Sequence, residues 1–69
     1  MDNSNPSIAV TRVNGEVVLH VPCEGVKLFF EVEGGALLIY EDSESGLELV
    51  SAYAHGTWAE VDFVGDDEE

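Results

Sequence analysis

Basic residues, cysteines and long apolar runs are all scarce in this chain of 69 residues. It has two Lys and Arg residues in total and a single cysteine, Cys23. So few cations cannot neutralise phosphates, which argues against direct binding of nucleic acid or of anionic lipid. One cysteine cannot close an internal disulfide, and no apolar run is long enough for a membrane-spanning helix. The chain also begins without the basic and apolar regions of a signal peptide, so we expect a cytoplasmic protein.

Acidic residues are abundant instead. The 15 Asp and Glu residues give a formal net charge of -13, whereas a small domain needs a charge of only about 2 to 8 for solubility. Hydrophobic residues still make up 45% of the chain, enough for a folded core. We expect one β-rich domain over residues 1–64 and a mobile acidic tail over residues 65–69. No catalytic motif is present, so we do not expect an enzyme.

Turn residues divide the chain into short segments, most of which alternate between apolar and polar residues with the period of a β-strand. The segments 7–13 and 16–21 flank Asn14-Gly15, a dipeptide typical of a two-residue hairpin turn. This register would pair Val10 with Leu19 and Ile8 with Val21. The first two segments are therefore predicted to form a hairpin with these four side chains on one face.

A second hairpin is predicted for residues 26–41 around Gly34-Gly35. One face would carry mainly aliphatic side chains and form part of the core. On the other face Phe29 would lie opposite Tyr40 and close to Leu38. This patch is apolar enough to need a covering layer or a partner.

Residues 42–46 are predicted to form a polar loop. The segment 47–55 that follows is open to two interpretations. It reads either as one strand of a third hairpin with residues 57–64, or as a short helix that begins after Ser45 and ends at Gly56. In either case the predicted fold is mainly β. We expect a single small antiparallel sheet of consecutive hairpins, sandwich-like or curled into a partly open barrel, with at most one short helix. The predicted core comprises Ile8, Val10, Leu19, Leu28, Phe30, Val32, Leu37, Ile39, Val61 and Phe63.

Candidate catalytic and metal-binding residues are few. His20 and Cys23 are separated by three positions but have no second base, and they are interpreted as a surface histidine and a turn cysteine. The acidic segment 41–46 lacks the glutamate that completes a calcium-binding loop, and two histidines with one cysteine do not form a zinc set. We therefore predict no catalytic residues, no metal site and no cofactor.

The carboxylates of the strands have an informative spacing. Residues two apart on a strand share a face at about 6.7 Å, which is comparable to the distance of about 6 to 7 Å between successive phosphates of a nucleic-acid strand. A basic, nucleic-acid-binding protein surface is therefore the predicted partner. A surface made only for solubility, or one adapted to a salty cytosol, would have the same composition. The candidate partner-binding residues are Glu31, Glu33, Glu41, Asp42, Glu44, Glu48, Glu60 and Asp62.

In its length, its excess of acidic residues and its turn-punctuated β pattern, the chain resembles the small phage-encoded anti-CRISPR proteins. It is most similar in character to the acidic inhibitors of type I systems that act as DNA mimics, and we suspect a type I-C target. The resemblance covers the whole chain, but no short motif carries it and no residue role transfers from it. It implies binding to a type I CRISPR surveillance complex in the cytoplasm of a bacterial host, at the surfaces where target DNA docks.

The alternative function is a small acidic protein-interaction module or homodimer. This interpretation rests on the predicted apolar patch around Phe29 and Tyr40, with Leu38 beside it. On either interpretation the protein binds another protein rather than nucleic acid or a membrane, as a monomer or a homodimer.

Overall fold

The structure is a computed structural model that describes residues 5–65. These residues form six strands: β1 (Ser7–Arg12), β2 (Val17–His20), β3 (Lys27–Glu33), β4 (Ala36–Ser43), β5 (Gly46–Tyr53) and β6 (Trp58–Val64). The prediction of a mainly β protein is confirmed, and the described part of the chain contains no helix. The strand interpretation of the segment 47–55 is therefore correct and the helix interpretation is wrong. The predicted mobile tail lies outside the described residues, apart from Gly65.

The strands form two three-stranded antiparallel sheets rather than the single sheet predicted. One has the order β2-β1-β6 and the other the order β3-β4-β5. The expected third hairpin is wrong, because β6 pairs with β1 and β5 pairs with β4. Strand β5 returns along β4 through a tight turn in which only Glu44 and Ser45 separate the strands, instead of the polar loop predicted for residues 42–46. The chain then crosses to the other sheet, where β6 completes a sandwich-like arrangement.

The β3–β4 hairpin has the predicted register. Glu33 pairs with Ala36, and Phe29 pairs with Tyr40. The two turn residues, Gly34 and Gly35, have φ angles of 59° and 86°. Two successive positive φ angles are what a two-residue type I′ turn requires, and glycine adopts them without steric cost.

The β1–β2 hairpin is shifted by one residue from the predicted register. Val10 pairs with Val18 and Ile8 pairs with His20. The loop has three residues, because the Gly15 N–H donates to the Arg12 carbonyl at 2.9 Å and the Arg12 N–H donates to the Glu16 carbonyl at 2.7 Å. Gly15 alone supplies the left-handed conformation of this loop type, with a φ of 92°.

The Asn14 side chain explains the longer loop. Its Oδ1 accepts a hydrogen bond of 2.9 Å from the Glu16 N–H, a local contact that asparagine commonly makes in turns. A shift of one residue turns every side chain of a strand to the other face. Leu19, a predicted core residue, is therefore 54% exposed, and His20 is half-buried.

The core lies between the two sheets. Its buried side chains among the described residues are Ile8 and Val10 from β1 and Leu28, Leu37 and Ile39 from β3 and β4. Phe30, Tyr53, Trp58 and Val61 pack against them. Seven of the ten predicted core residues are thus buried or packed against the core. Val32 and Phe63 are exceptions besides Leu19, at 50% and 49% exposure, because they lie near the ends of edge strands. Phe63 still packs on Phe30, with ring centroids 5.2 Å apart.

Candidate functional site

The outer face of the β3–β4–β5 sheet carries an uncovered apolar patch, which we call the aromatic face. Directly paired residues of antiparallel strands place their side chains on the same face of the sheet. The central row of this face runs across all three strands as Phe29, Tyr40 and Leu49. Leu38 and Leu47 lie in the rows on either side, and Phe29 is 42% and Leu49 50% exposed.

Three of the candidate carboxylates border this patch. Glu31 and Glu33 alternate with core-facing residues on β3 and therefore point outward with Phe29. Asp42 lies opposite Lys27 at the other end of the face. A shallow depression of about 590 Å³ opens here, and the residues that line it are Phe29, Phe30, Tyr40, Leu47, Glu31 and Asp42.

Two further candidates lie on the outer face of the β2–β1–β6 sheet, which we call the opposite face. Glu60 pairs with Thr11 and Asp62 pairs with Ala9, so both carboxylates point away from the core. The aromatic face and the opposite face are on the two sides of the sandwich. The structure thus places the pair Glu31 and Glu33 and the pair Glu60 and Asp62 on opposite sides of the sandwich and does not bring them into one continuous row.

The remaining candidates lie at the end of the β4–β5 hairpin. Glu41 pairs directly with Glu48, and Glu44 lies in the turn. Carboxylates that face each other across strands repel, which reduces the stability of the sheet. The repulsion between these carboxylates lowers the stability of the sheet unless a cation or a basic partner approaches the hairpin end.

Cross-sheet contacts keep the two faces in fixed positions. The Tyr53 hydroxyl and His20 Nε2 lie 2.7 Å apart and share a hydrogen bond between β5 and β2. The Trp58 indole N–H donates to the Gly35 carbonyl at 3.0 Å and ties β6 to the β3–β4 turn. Sequence patterns did not reveal either contact, because each joins residues more than twenty positions apart whose sheets had not been placed. His20, interpreted from the sequence as a surface histidine, is half-buried and bonded to Tyr53.

His55 makes a further contact of this kind. A Cβ at position 35 would clash with the His55 ring, so a larger residue there would displace the His55 side chain. The positive φ of the turn is the stronger reason for glycine at this position.

Within residues 5–65 no group of three or more His, Cys, Asp or Glu side chains is arranged to hold a metal ion. Cys23 is exposed in the connection between β2 and β3, and the Nε2 atom of His20 is occupied by Tyr53. The same residues include no helix of the length and apolarity needed to cross a membrane.

Comparison with protein-family models, with curated proteins and with solved structures finds no match to this chain.

Proposed function

We propose that this protein is an inhibitor that binds a basic, nucleic-acid-binding protein surface and keeps nucleic acid from it. The observation that carries this proposal is the arrangement of charge. Each outer face of a rigid sandwich bears a pair of carboxylates spaced by one strand repeat, in a chain with net charge -13. Carboxylates at this spacing can occupy sites that a basic groove offers to phosphates.

The proposed target is a type I CRISPR surveillance complex, with type I-C as the first choice. This choice rests on the resemblance of the whole chain to acidic anti-CRISPR proteins. Binding would take place in the cytoplasm of the bacterial host. The protein would act as a stoichiometric inhibitor, with its carboxylates in place of the phosphates of target DNA.

The test is competition for a purified type I-C surveillance complex, measured by the mobility shift of a labelled target duplex. We expect the protein to displace the duplex, and its affinity to fall steeply between about 0.1 M and 1 M NaCl, where the Debye length shortens from about 10 Å to about 3 Å. Polyglutamate is the control for charge without a fold. Equal inhibition by polyglutamate, or affinity independent of salt, would contradict the proposal.

A second candidate function is that of an interaction module or homodimer. The observation that favours it is the uncovered aromatic face, since monomeric proteins seldom leave a contiguous apolar patch without a role. Sedimentation equilibrium over a wide concentration range tests the homodimer directly. A monomer mass at the highest concentration would exclude it.

A further inference from the structure

We propose that the aromatic face is the surface that contacts the target, and that it receives a basic segment of the target carrying an aromatic or aliphatic side chain between lysines or arginines. This inference rests on the proposed function and specifies which part of the protein performs it. It differs from simple charge mimicry, because it requires one face and an apolar anchor.

The apolar centre of this face is the first argument. Phe29, Tyr40 and Leu49 form a continuous row over all three strands, and the depression beside them is open to solvent. Buried aromatic side chains in pockets supply most of the energy of protein interfaces. The opposite face has exposed aliphatic side chains at Val17 and Leu19 on its edge strand β2, but its central strand contributes only Ala9 and Thr11. It therefore has no aromatic row across the sheet to match Phe29 and Tyr40.

The charged border is the second argument. Glu31 and Asp42 line the depression together with the apolar side chains, and Glu33 lies one strand repeat beyond Glu31. Lys27 lies opposite Asp42, so the negative charge of the border is strongest on the side of Glu31 and Glu33. An apolar side chain that enters this depression brings its sequence neighbours close to the carboxylates. Lysines or arginines at those neighbouring positions complement the border, whereas acidic ones would be repelled.

A second copy of this chain fits the face poorly. Two copies would bring their acidic borders together, and each carries a net charge of -13. The area is also small. A sheet of three strands with eight residues in the longest measures about 26 Å by 14 Å, on the order of 400 Å² per copy. Two such faces bury about half of the roughly 1,600 Å² of a typical stable interface.

The structure provides matched variants on its two outer faces. Leu49→Ser on the aromatic face is compared with Leu19→Ser on the opposite face, since both leucines lie on edge strands with exposures of 50% and 54%. A double variant of the aromatic face, Glu31→Gln/Glu33→Gln, is likewise compared with a double variant of the opposite face, Glu60→Gln/Asp62→Asn. Each double variant removes two charges from one face, so the net charge of the protein is the same in both.

Competition with target DNA for the surveillance complex is measured for all four variants, after circular dichroism has shown that each is folded. We expect the Leu49 variant and the Glu31/Glu33 variant to lose about tenfold or more in affinity, as hot-spot changes do. Their counterparts on the opposite face should lose about twofold or less. Equal losses within each matched pair would overturn the inference while leaving the proposed function intact.

A peptide experiment tests the inference without the surveillance complex. Two synthetic lysine-rich peptides of equal charge are used, one with two tryptophans between the lysines and the other with glycines in their place. We expect the tryptophan peptide to bind more tightly and to shift the amide NMR signals of Phe29, Tyr40 and Leu49. Equal affinities, or shifts centred on Ala9 and Thr11, would overturn the inference. If the peptide binds as expected but the surveillance complex does not, the proposed target is wrong and the assigned surface stands.

The same variants detect a second copy as the occupant. The unmodified protein would then dimerise as its concentration rises, and Leu49→Ser would abolish the dimer while Leu19→Ser would not. Such a result would assign the aromatic face to self-association. That result would overturn the proposal of a basic segment.

Discussion

The two hairpins at the start of each sheet differ in how far local sequence determines them. Around Gly34-Gly35 the turn has two residues, and the β3–β4 register follows from it. Around Asn14-Gly15 the loop has three residues, and the β1–β2 register is shifted by one position. Both dipeptides are typical of hairpins, but only two successive glycines with positive φ determine the loop length. The comparison shows that a turn signal can locate a hairpin without fixing which side chains face the core.

The largest expected effect distinguishes Ile39, which is buried in the core, from Leu19, which only the predicted register places there. Ile39→Ala removes a fully buried side chain from β4 and should lower the free energy of unfolding by about 2 to 5 kcal/mol. Leu19→Ala, at a position that the predicted register places in the core, should change it by about 0.5 kcal/mol or less. Urea denaturation followed by circular dichroism measures both.

Comparable losses of unfolding free energy for Ile39→Ala and Leu19→Ala would mean that Leu19 is buried, as the predicted register of β2 requires. Because Ile39→Ala alone can unfold so small a domain, Ile39→Val serves as a milder version with an expected cost of about 0.5 to 1.5 kcal/mol.

The next effect concerns the contact that joins β2 to β5. Tyr53→Phe removes the hydroxyl bonded to His20 without changing the ring, and it should lower stability by about 0.5 to 1.5 kcal/mol. Tyr40→Phe makes the same chemical change on the aromatic face, away from this contact, and should cost less. Thermal denaturation of the two variants side by side is the measurement. An equal effect at both positions would mean that the His20 contact does not stabilise the sandwich.

Deleting Val13 tests the loop length itself. The shortened loop leaves Asn14 and Gly15 between Arg12 and Glu16, a pair already joined by a backbone hydrogen bond, so the observed register is preserved. We expect a folded protein that loses about 1 kcal/mol or less, the value of the hydrogen bond from the Val13 N–H to the Thr57 carbonyl.

In the predicted register, by contrast, Val13 is the partner of Glu16. Its deletion would then shift the register of β2 by one residue and exchange its buried and exposed side chains, at a much larger loss of stability. NMR contacts between β1 and β2 in the unmodified protein, together with the free energy of unfolding of the deletion variant, decide between these registers. Contacts between Val10 and Val18 support the observed register, and contacts between Val10 and Leu19 contradict it.

The smallest expected effect comes from the paired carboxylates at the end of the β4–β5 hairpin. Glu48→Lys replaces repulsion against Glu41 with attraction and should raise stability by about 0.2 to 1 kcal/mol. Glu60→Lys, which makes the same charge change opposite Thr11, is the control and should give a smaller increase. Both increases should shrink in high salt. A larger gain at position 60 than at position 48 would show that the overall charge, rather than the pair, limits stability.

Much of the second sheet was predictable from residues close in sequence. The alternation of Phe29 and Tyr40 with core residues predicted the aromatic face correctly, because β3 and β4 are joined by a turn of defined length. The position of β5 beside β4 was not predicted. The segment 42–46 was interpreted as a loop, whereas both strands continue into it as far as Ser43 and Gly46.

The candidate site was predictable only in part. Glu31 and Glu33 share a face, as do Glu60 and Asp62, because strand alternation alone requires it. That the two pairs lie on opposite sides of the sandwich depends on the pairing of β6 with β1, which joins the two ends of the described chain. No local pattern contains that information.

Composition, alternation and turns a few residues long are enough to predict the β character of this protein, its acidic surface and the β3–β4 register. The packing of distant strands sets which sheet β6 joins, which face of β2 is buried and on which side of the sandwich each pair of carboxylates lies. These outcomes depend on burying Ile8 and Val10 against Leu37 and Ile39, and such a core forms only when distant strands meet.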